Sequence, residues 1–239
     1  MTGIPRAAGP VVYVADLRAP ELDATDGHHL RQVLRHRVGD PVAAGDGRGA
    51  WRPCRLGRTA VLEPDDEIRR VPPPAPPITI GVSLIKGERP ELAVAKLTEV
   101  GVDRIIVVAA ARSVVRWEGE RAGRQLDRLR GVARAAARQC RRLWLPEVSG
   151  PVEPAALAAP GVAIADFDGG PPSLGHPVVL VGPEGGWTDG ERGRFDTRVT
   201  LGPTVLRTET AAIAAGVLLC GLRSGVVDPR TGSRRHHEP

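Results

Sequence analysis

The sequence predicts an α/β protein in which a small β domain precedes a parallel sheet with helices on both faces. Two features of the 239-residue chain predict this architecture. A proline-rich run at 72–77 indicates a linker, because proline donates no ladder hydrogen bond and prefers an extended conformation. Short apolar stretches separated by turns precede it, and alternating strand and helix patterns follow it. We therefore expect domains at 1–71 and 78–227 and a disordered polar tail at 228–239.

The N-terminal domain is predicted to contain short strands, tight turns and one basic helix. Its strands are Val11–Val14, Trp51–Leu56 and Thr59–Leu62. Glycine and aspartate at Gly39-Asp40 and within 45–49 indicate turns. The helix covers His28–Arg37, where arginine and histidine surround a few apolar positions. Two interpretations of this helix stay open, an RNA-contacting surface and an ordinary solvated face.

The C-terminal domain is predicted to alternate strands with helices. Its strands are Ile78–Leu84, Arg104–Ala110, Val162–Phe167, Pro177–Val181 and Arg198–Leu201. Its main helices are Pro90–Val100, Glu120–Cys140 and Glu209–Arg223. Thr188 and Glu191 have the spacing of a capping box, which opens a further short helix. The last helix is almost wholly apolar, so we expect it to be buried.

The charge of the chain favours an anionic partner such as nucleic acid. The formal net charge is +5 and the isoelectric point is about 9.8. Nearly all of the basic side chains are arginine, since Lys86 and Lys96 are the only lysines. Arginine suits bidentate phosphate contacts and stacking on bases.

Cysteine usage and hydropathy indicate the compartment. Cys54, Cys140 and Cys220 are widely separated, which predicts neither a disulfide framework nor a structural zinc site. Met1–Leu17 lacks the pattern of a secretion signal, and the longest apolar stretch, Ala211–Leu222, is too short to span a bilayer. We expect a cytoplasmic protein that binds no metal and no membrane.

Two loops are the candidate chemical sites. Leu180–Gly186 and Leu201–Ala211 each leave a predicted strand and enter a helix. Ligands of open parallel sheets bind at the carboxyl ends of strands, and glycine lets the backbone approach them closely. The first loop has glycines at 182, 185 and 186, which is the spacing of neither a dinucleotide fingerprint nor a P-loop. It also carries no Ser, Cys or His at a nucleophile elbow, and a nucleotide-dependent dehydrogenase is disfavoured as well.

The two loops together carry a family resemblance. Gly182-Pro-Glu-Gly-Gly186 and Leu201-Gly-Pro-Thr-Val-Leu-Arg-Thr-Glu-Thr-Ala211 closely resemble the ribosomal RNA small-subunit methyltransferase E family. These proteins are the 16S rRNA uracil-N3 methyltransferases of the SPOUT superfamily. The further matching segments are Leu84–Arg89, Lys96–Val102 and Ala135–Arg142, and, for the family's PUA-like domain, His29–Arg35 and Gly39-Asp40.

The resemblance implies a fold, a cofactor and partners. We expect a SPOUT-type trefoil-knotted domain that binds S-adenosyl-L-methionine, a PUA-like β-barrel domain, a homodimer, and 16S rRNA or the small ribosomal subunit as substrate. Asp166–Gly170 is the equivalent of a third cofactor loop. The implied cofactor-binding residues are Val181, Gly182, Glu184, Gly185, Gly186, Leu201, Gly202, Val205 and Leu206.

Methylation of uracil N3 requires the loss of its proton and stabilisation of the charge that develops on O2 and O4. Arg207 is the candidate for stabilising this charge. Glu209 either accepts the proton or holds Arg207 through an ion pair, and both roles stay open. Thr208 is expected to be the cap of the last helix, and Glu184 to orient the cofactor.

RNA contacts are expected on the first domain and at the end of the long helix. The predicted RNA-binding residues are Arg6, Arg31, Arg35, Arg37, Arg138, Gln139 and Arg142. Many family members carry Glu at the position of Arg138, so this departure weakens any mechanism that uses a glutamate there and favours phosphate binding. Two alternative functions stay open, a SPOUT RNA methyltransferase with another RNA target and a non-catalytic RNA-binding protein of ribosome assembly.

Overall fold

The computed structural model describes residues 3–87 and 89–228, and the chain divides into two compact units. The first unit comprises Met1–Pro74 with Gly131–Pro146, and the second comprises Ala75–Arg130 with Glu147–Pro239. The limits expected from the sequence treat each domain as one continuous segment, whereas the first unit includes a second segment from far along the chain. The tail expected to be disordered lies, from residue 229 onwards, outside the described residues.

The first unit is built on a mixed five-stranded sheet. Its strands are β1 (Val11–Tyr13), β2 (Pro41–Gly45), β3 (Ala50–Leu56), β4 (Leu62–Pro64) and β5 (Arg69–Arg70). The order is β1-β2-β3-β4 with β5 beside β3, and only the pairing of β1 with β2 is parallel. Val42, Leu56 and Leu62 are fully buried between this sheet and the first helix, where Leu30 joins the same core.

The predicted helix His28–Arg37 is wrong at both ends. Helix α1 is Ala24–His28, and a wider π-type turn continues it over His29–Val33. The helix begins early because the carboxylate of Asp23 accepts a hydrogen bond from the Asp26 backbone N–H at 2.7 Å. It stops before Arg35, whose φ of +55° is left-handed and cannot continue a right-handed helix.

The strands of the first unit also depart from prediction. The predicted strand Thr59–Leu62 lies too early in the chain, because the strand found there, β4, begins at Leu62, which pairs with Leu56 across the hairpin. Strand β2 was not predicted, and neither was β8 (Glu147–Val152) of the second unit. Both contain proline, glycine and small residues, which have low strand propensity, so pairing with neighbouring strands rather than local preference forms these strands.

Among the residues that the structure describes, the second unit contains a six-stranded sheet and four α-helices. Besides β8 its strands are β6 (Thr79–Ser83), β7 (Arg104–Val108), β9 (Val162–Gly170), β10 (Val178–Val181) and β11 (Thr197–Val199). Its helices are α2 (Arg89–Val100), α3 (Gly119–Cys140), α4 (Asp189–Arg192) and α5 (Thr208–Ser224), and α3 from Gly131 onwards belongs to the first unit. The strand order is β11-β9-β10-β6-β7-β8 and every pairing is parallel, which confirms the predicted parallel sheet.

Helices α2 and α5 pack closely against each other beside this sheet. Gly216 allows the approach, since a Cβ atom there would lie 2.8 Å from Cδ2 of Leu97. Helix α5 buries one face and leaves 47% of Val217 exposed on the other, so the expectation that the whole helix is buried is wrong. No helix in the described part of the chain is both long and apolar enough to cross a membrane.

Candidate active site

Three loops meet at one edge of the six-stranded sheet. Strands β10, β9 and β11 are neighbours and run parallel, so the segments at their carboxyl ends converge. These segments line a cleft of about 770 Å³, open solvent at its mouth included.

The loop after β10 forms the base of the cleft. Gly182 faces the ring of Trp187, and a Cβ atom at this position would lie only 3.0 Å from that ring. The Trp187 indole N–H donates to the Ala165 carbonyl at 3.1 Å, which joins this loop to the middle of β9. Gly186 has a φ of +69°, a conformation that glycine adopts at no steric cost.

The loop after β11 forms the second wall and leads into α5. The Thr208 hydroxyl, which is buried, donates to the Gly182 carbonyl at 3.0 Å and so ties the start of α5 to the first loop. The expectation that Thr208 caps this helix is wrong. The N-cap position belongs to Arg207, whose backbone is extended and whose side chain makes no capping hydrogen bond.

The third wall comes from an irregularity in β9. Its pairing with β11 jumps from Arg198↔Ile164 to Val199↔Gly170, which leaves residues 165–169 out of the ladder. Ala165, Asp166 and Phe167 line the cleft from this excursion. The segment Asp166–Gly170, predicted as a third loop, thus contributes its first two residues.

The structure brings together most of the residues predicted to bind a cofactor. Those that line the cleft are Val181, Gly182, Glu184, Gly186, Leu201, Gly202, Val205 and Leu206. Gly185 is not among the lining residues. Its carbonyl accepts a hydrogen bond from the Arg112 guanidinium at 3.0 Å, so Gly185 serves to fix the loop.

Arg89 connects the two glycine loops and was not predicted as a site residue. Its Nη1 donates to Glu184 Oε1 at 3.2 Å, and its Nε lies 3.7 Å from Glu209 Oε1. Glu209 is buried, and within the described residues its Oε2 has no hydrogen-bond partner. The prediction that Glu209 pairs with Arg207 is wrong, because its ion pair is with Arg89.

Arg207 stands beside the cleft as an exposed cation. Its neighbours Leu206 and Thr208 line the cleft, but Arg207 itself does not. Within residues 3–87 and 89–228 its side chain has no hydrogen bond and no ion pair. A cation without a protein partner at the lip of a cleft is available for a substrate.

The short helix α4 is fixed by the capping box that the sequence predicts. The Thr188 hydroxyl accepts from the Glu191 backbone N–H, and the Glu191 carboxylate accepts from the Thr188 backbone N–H. Glu191 also accepts from the Ala111 backbone N–H at 2.9 Å. Burial alone would raise the pKa of Glu191, but these hydrogen bonds and the nearby Arg112 outweigh it and lower that pKa.

Comparison with known proteins identifies the family. The family model described as RNA methyltransferase domain matches residues 72–219, and that described as RNA methyltransferase PUA domain matches residues 22–62. The ribosomal RNA small subunit methyltransferase E of Mycobacterium bovis is 36% identical over 217 residues, which cover 81% of this chain and 83% of that protein. The chain belongs to the ribosomal RNA small subunit methyltransferase E family.

Solved structures of similar proteins carry the same fold. The methyltransferase E from Neisseria gonorrhoeae, bound to S-adenosyl methionine, is 29% identical with a TM-score of 0.75, covering 89% of this chain and 97% of that one. A methyltransferase from Legionella pneumophila in complex with the bound cofactor is 26% identical with a TM-score of 0.73, covering 87% and 96%. The α/β fold with an N-terminal PUA domain is therefore shared.

The residues predicted to bind RNA all fall in the first unit. Those that are exposed are Arg6, Arg35, Arg37 and Gln139, whereas Arg31, Arg138 and Arg142 are half-buried. The Arg31 guanidinium donates to the carbonyls of Gly57, at 3.0 Å, and of Thr59, so it holds the hairpin loop. The exposed members are the ones left for phosphate contacts.

Arg138 has a structural partner in the first unit. Its guanidinium forms an ion pair with Asp26, whose carboxylate is almost wholly buried, and Arg134 lies 3.6 Å from the same carboxylate. A glutamate at position 138 would place a second carboxylate beside Asp26 and would leave Arg134 as the nearby cation. This ion pair explains why arginine is compatible with position 138. It also means that the charge of Arg138 is paired with Asp26.

No group of three or more His, Cys, Asp or Glu side chains with metal-binding placement occurs among the described residues. The charged side chains that line the cleft are Asp166, Glu184 and Arg192. Arg192 was not predicted as a site residue. Its partner Asp166 lies 26 positions away, and no local pattern in the sequence indicates which charges will meet.

Proposed function

We propose that this protein transfers the methyl group of S-adenosyl-L-methionine to N3 of a uridine in the 16S rRNA of the small ribosomal subunit. The observation that carries the proposal is the cleft formed by three converging loops, eight of whose lining residues match the predicted cofactor set. The M. bovis relative is named as a methyltransferase of small-subunit ribosomal RNA, and the N. gonorrhoeae structure holds S-adenosyl methionine. The choice of uracil N3 rests on the Leu206-Arg-Thr-Glu-Thr210 segment.

The residues of the cleft fit this cofactor. Apolar side chains of Val181, Leu201 and Leu206 offer walls for an adenine ring, and Gly182 lines the same cleft without a side chain. The lining charges are two carboxylates and one guanidinium, which suits a ligand with both positive and negative groups.

When bound, S-adenosylmethionine supplies an electrophilic methyl group on a sulfonium sulfur. The chain must hold uracil N3 in line with that methyl group and stabilise negative charge as the N3 proton leaves. Arg207 is placed to stabilise this negative charge, since it is a permanent cation beside the cleft with no protein partner among the described residues. The charge it would neutralise is shared by O2 and O4 of the base.

Glu209 is proposed to act through Arg89. The Glu209 carboxylate lies 3.7 Å from the Arg89 guanidinium, and this contact favours a positioning role over proton acceptance. Through Arg89, Glu209 at the start of α5 is joined to Glu184 of the first loop. The proton of N3 then passes to solvent at the open mouth of the cleft.

We further propose that the chain forms a homodimer, that its loops form the trefoil knot of the family and that it works in the cytoplasm. The outward face of α5 supports the dimer, because Val217 is 47% exposed there beside half-buried Ile213 and Leu218. The substrate is proposed to be 16S rRNA or the small subunit. The basic first unit, with Arg6, Arg35 and others exposed, supports contact with that RNA.

The proposal is tested by nucleoside mass spectrometry of small-subunit RNA. RNA from a strain lacking this gene is incubated with the purified protein and labelled S-adenosylmethionine, then digested and analysed. We expect one new 3-methyluridine, and none without protein. If a ribose or another base is methylated instead, the proposed target is wrong and the proposed cofactor is kept. Binding of the RNA without any transfer would favour the non-catalytic assembly protein.

A further inference from the structure

The wall of the cleft contains an ion pair that the methyl transfer itself does not use. Arg192, in α4, has its Nε 3.1 Å from Asp166 Oδ2, and its Nη2 donates to Asp166 Oδ1 at 3.3 Å. The carboxylate of Asp166 is only 6% exposed. Its Oδ1 also accepts from the Phe167 backbone N–H at 2.8 Å.

The contacts of this ion pair leave part of the Arg192 guanidinium accessible to a ligand, whereas the Asp166 carboxylate is buried. Asp166 Oδ2 and Arg192 Nε are both buried from solvent, so a ligand in the cleft cannot reach them. The Arg192 side chain as a whole is 40% exposed. Within residues 3–87 and 89–228 its Nη1 has no hydrogen-bond partner, so at least two N–H groups of a fixed guanidinium remain to be used.

We propose that Arg192 binds the carboxylate of the methionine part of S-adenosylmethionine, with Asp166 as the residue that positions it. Arg192 is the one cation among the described residues that line the cleft, and a planar guanidinium is the natural partner of a carboxylate. The inference rests on the proposed cofactor and assigns one of its groups. An RNA phosphate is the competing anion, but Arg192 lies in the wall of the same cleft as the cofactor-binding glycine loops.

Two ligands that differ only in the carboxylate test this assignment. S-adenosylhomocysteine carries it, and its decarboxylated analogue, S-adenosyl-3-thiopropylamine, does not. Calorimetry with the full chain gives the Kd of each ligand for the wild type, for Arg192→Ala and for Arg194→Ala. Arg194 is an exposed arginine two residues further on that does not line the cleft, so it is the matched control.

We expect Arg192→Ala to weaken S-adenosylhomocysteine roughly 10- to 100-fold, the usual range for a lost hydrogen bond to a charged group. The decarboxylated analogue should bind this variant as well as the wild type or slightly better, because its cationic tail no longer meets a cation. Arg194→Ala should change neither Kd by more than about 2-fold. The comparison of two ligands on one variant separates a lost contact from a damaged fold.

Two results would overturn the assignment. An equal loss for both ligands would mean that Arg192 only holds the Asp166 loop in place. If Arg192→Ala binds both ligands as tightly as the wild type does but binds 16S rRNA more weakly, the guanidinium contacts an RNA phosphate instead. If the wild type binds neither ligand, the proposed cofactor itself fails, which is a different outcome from either of these.

Discussion

Two arginines stand at the cleft, and their surroundings assign them different roles. Arg192 lines the wall and is fixed by a buried carboxylate, whereas Arg207 is exposed at the N-cap of α5. Because the Arg207 side chain contacts no described partner, its removal should leave the loops in place. Arg207 is therefore the residue whose truncation tests catalysis without disturbing the cofactor cleft.

We predict that Arg207→Ala lowers kcat at least 100-fold and changes the Kd of S-adenosylhomocysteine by less than about 2-fold. Removing one group that stabilises a developing negative charge commonly costs about 10²- to 10³-fold in rate. A tritium-transfer assay on small-subunit RNA measures kcat, and calorimetry measures the Kd of S-adenosylhomocysteine. Arg198→Ala, which removes an exposed arginine outside the cleft, is the control and should change neither. Equal losses of rate and affinity would refute this division of roles.

The sequence indicates the glycine loops but not the charges that join them. The loop residues could be predicted because glycine, proline and a strand end lie within a few positions of one another, as at Gly182 and Gly202. Arg89 meets Glu184 and Glu209 across 95 and 120 positions, and such distant pairing follows from the fold alone. For the same reason one of the two roles that the sequence leaves open for Glu209, an ion pair with Arg207, is wrong.

Helices and strands could be predicted from the sequence where a short local residue pattern determines them. The capping box of α4 needs only Thr188 and Glu191 at the right spacing, and it is confirmed. Strand β2, by contrast, contains Pro41 and two alanines, and only its burial between β1 and β3 makes it a strand. The end of the first helix depends on the left-handed Arg35, a conformation that arginine adopts rarely.

The lowered pKa of Glu191 predicts how the stability of the second unit depends on pH. A carboxyl group whose pKa is lower in the folded state stabilises the fold above its unfolded pKa of about 4.3. That contribution is lost as the pH falls through the lower folded value. Replacing Glu191 by Gln keeps an acceptor for the Ala111 N–H but removes the charge.

We predict that Glu191→Gln lowers the free energy of unfolding at pH 7 and that the difference from the wild type shrinks between about pH 5 and pH 3. Urea denaturation at several pH values measures it. Glu118→Gln removes an exposed carboxylate whose side chain has no partner in the described part of the chain, so it should leave the free energy nearly unchanged. A Glu191→Gln difference that stays constant down to pH 3 would contradict the assignment.

At the scale of the whole molecule, the chain returns to its first unit late in the sequence. Gly131–Pro146 places Ala137 and Leu143 in the core that Val11 and Tyr13 form, and the Tyr13 hydroxyl donates to the Arg142 carbonyl at 2.7 Å. This return unites the predicted RNA-binding residues of the first 37 positions with those at 138–142. A proline-rich linker suggests a single division of the chain, so this return could not be predicted from composition.

A basic unit of this kind should bind RNA mainly through phosphates. Each contact releases counterions, so affinity falls linearly with the logarithm of salt concentration, with a slope that scales with the number of contacts. Arg6, Arg35 and Arg37 are exposed and make no ion pair among the described residues, so they are free to contribute. Together they form a set whose removal changes the slope and leaves the cleft of the second unit untouched.

We predict that the triple variant Arg6→Ala, Arg35→Ala, Arg37→Ala reduces the salt slope of 16S rRNA binding by roughly one for each arginine that contacts a phosphate. Filter binding between about 50 and 200 mM salt measures it, and S-adenosylhomocysteine affinity should stay as in the wild type. Arg121→Ala, which removes one exposed arginine of the second unit, is the control for loss of a single charge outside the first unit and should leave the slope nearly unchanged. A wild-type affinity insensitive to salt, or an identical slope in the triple variant, would show that these arginines do not carry the RNA contact.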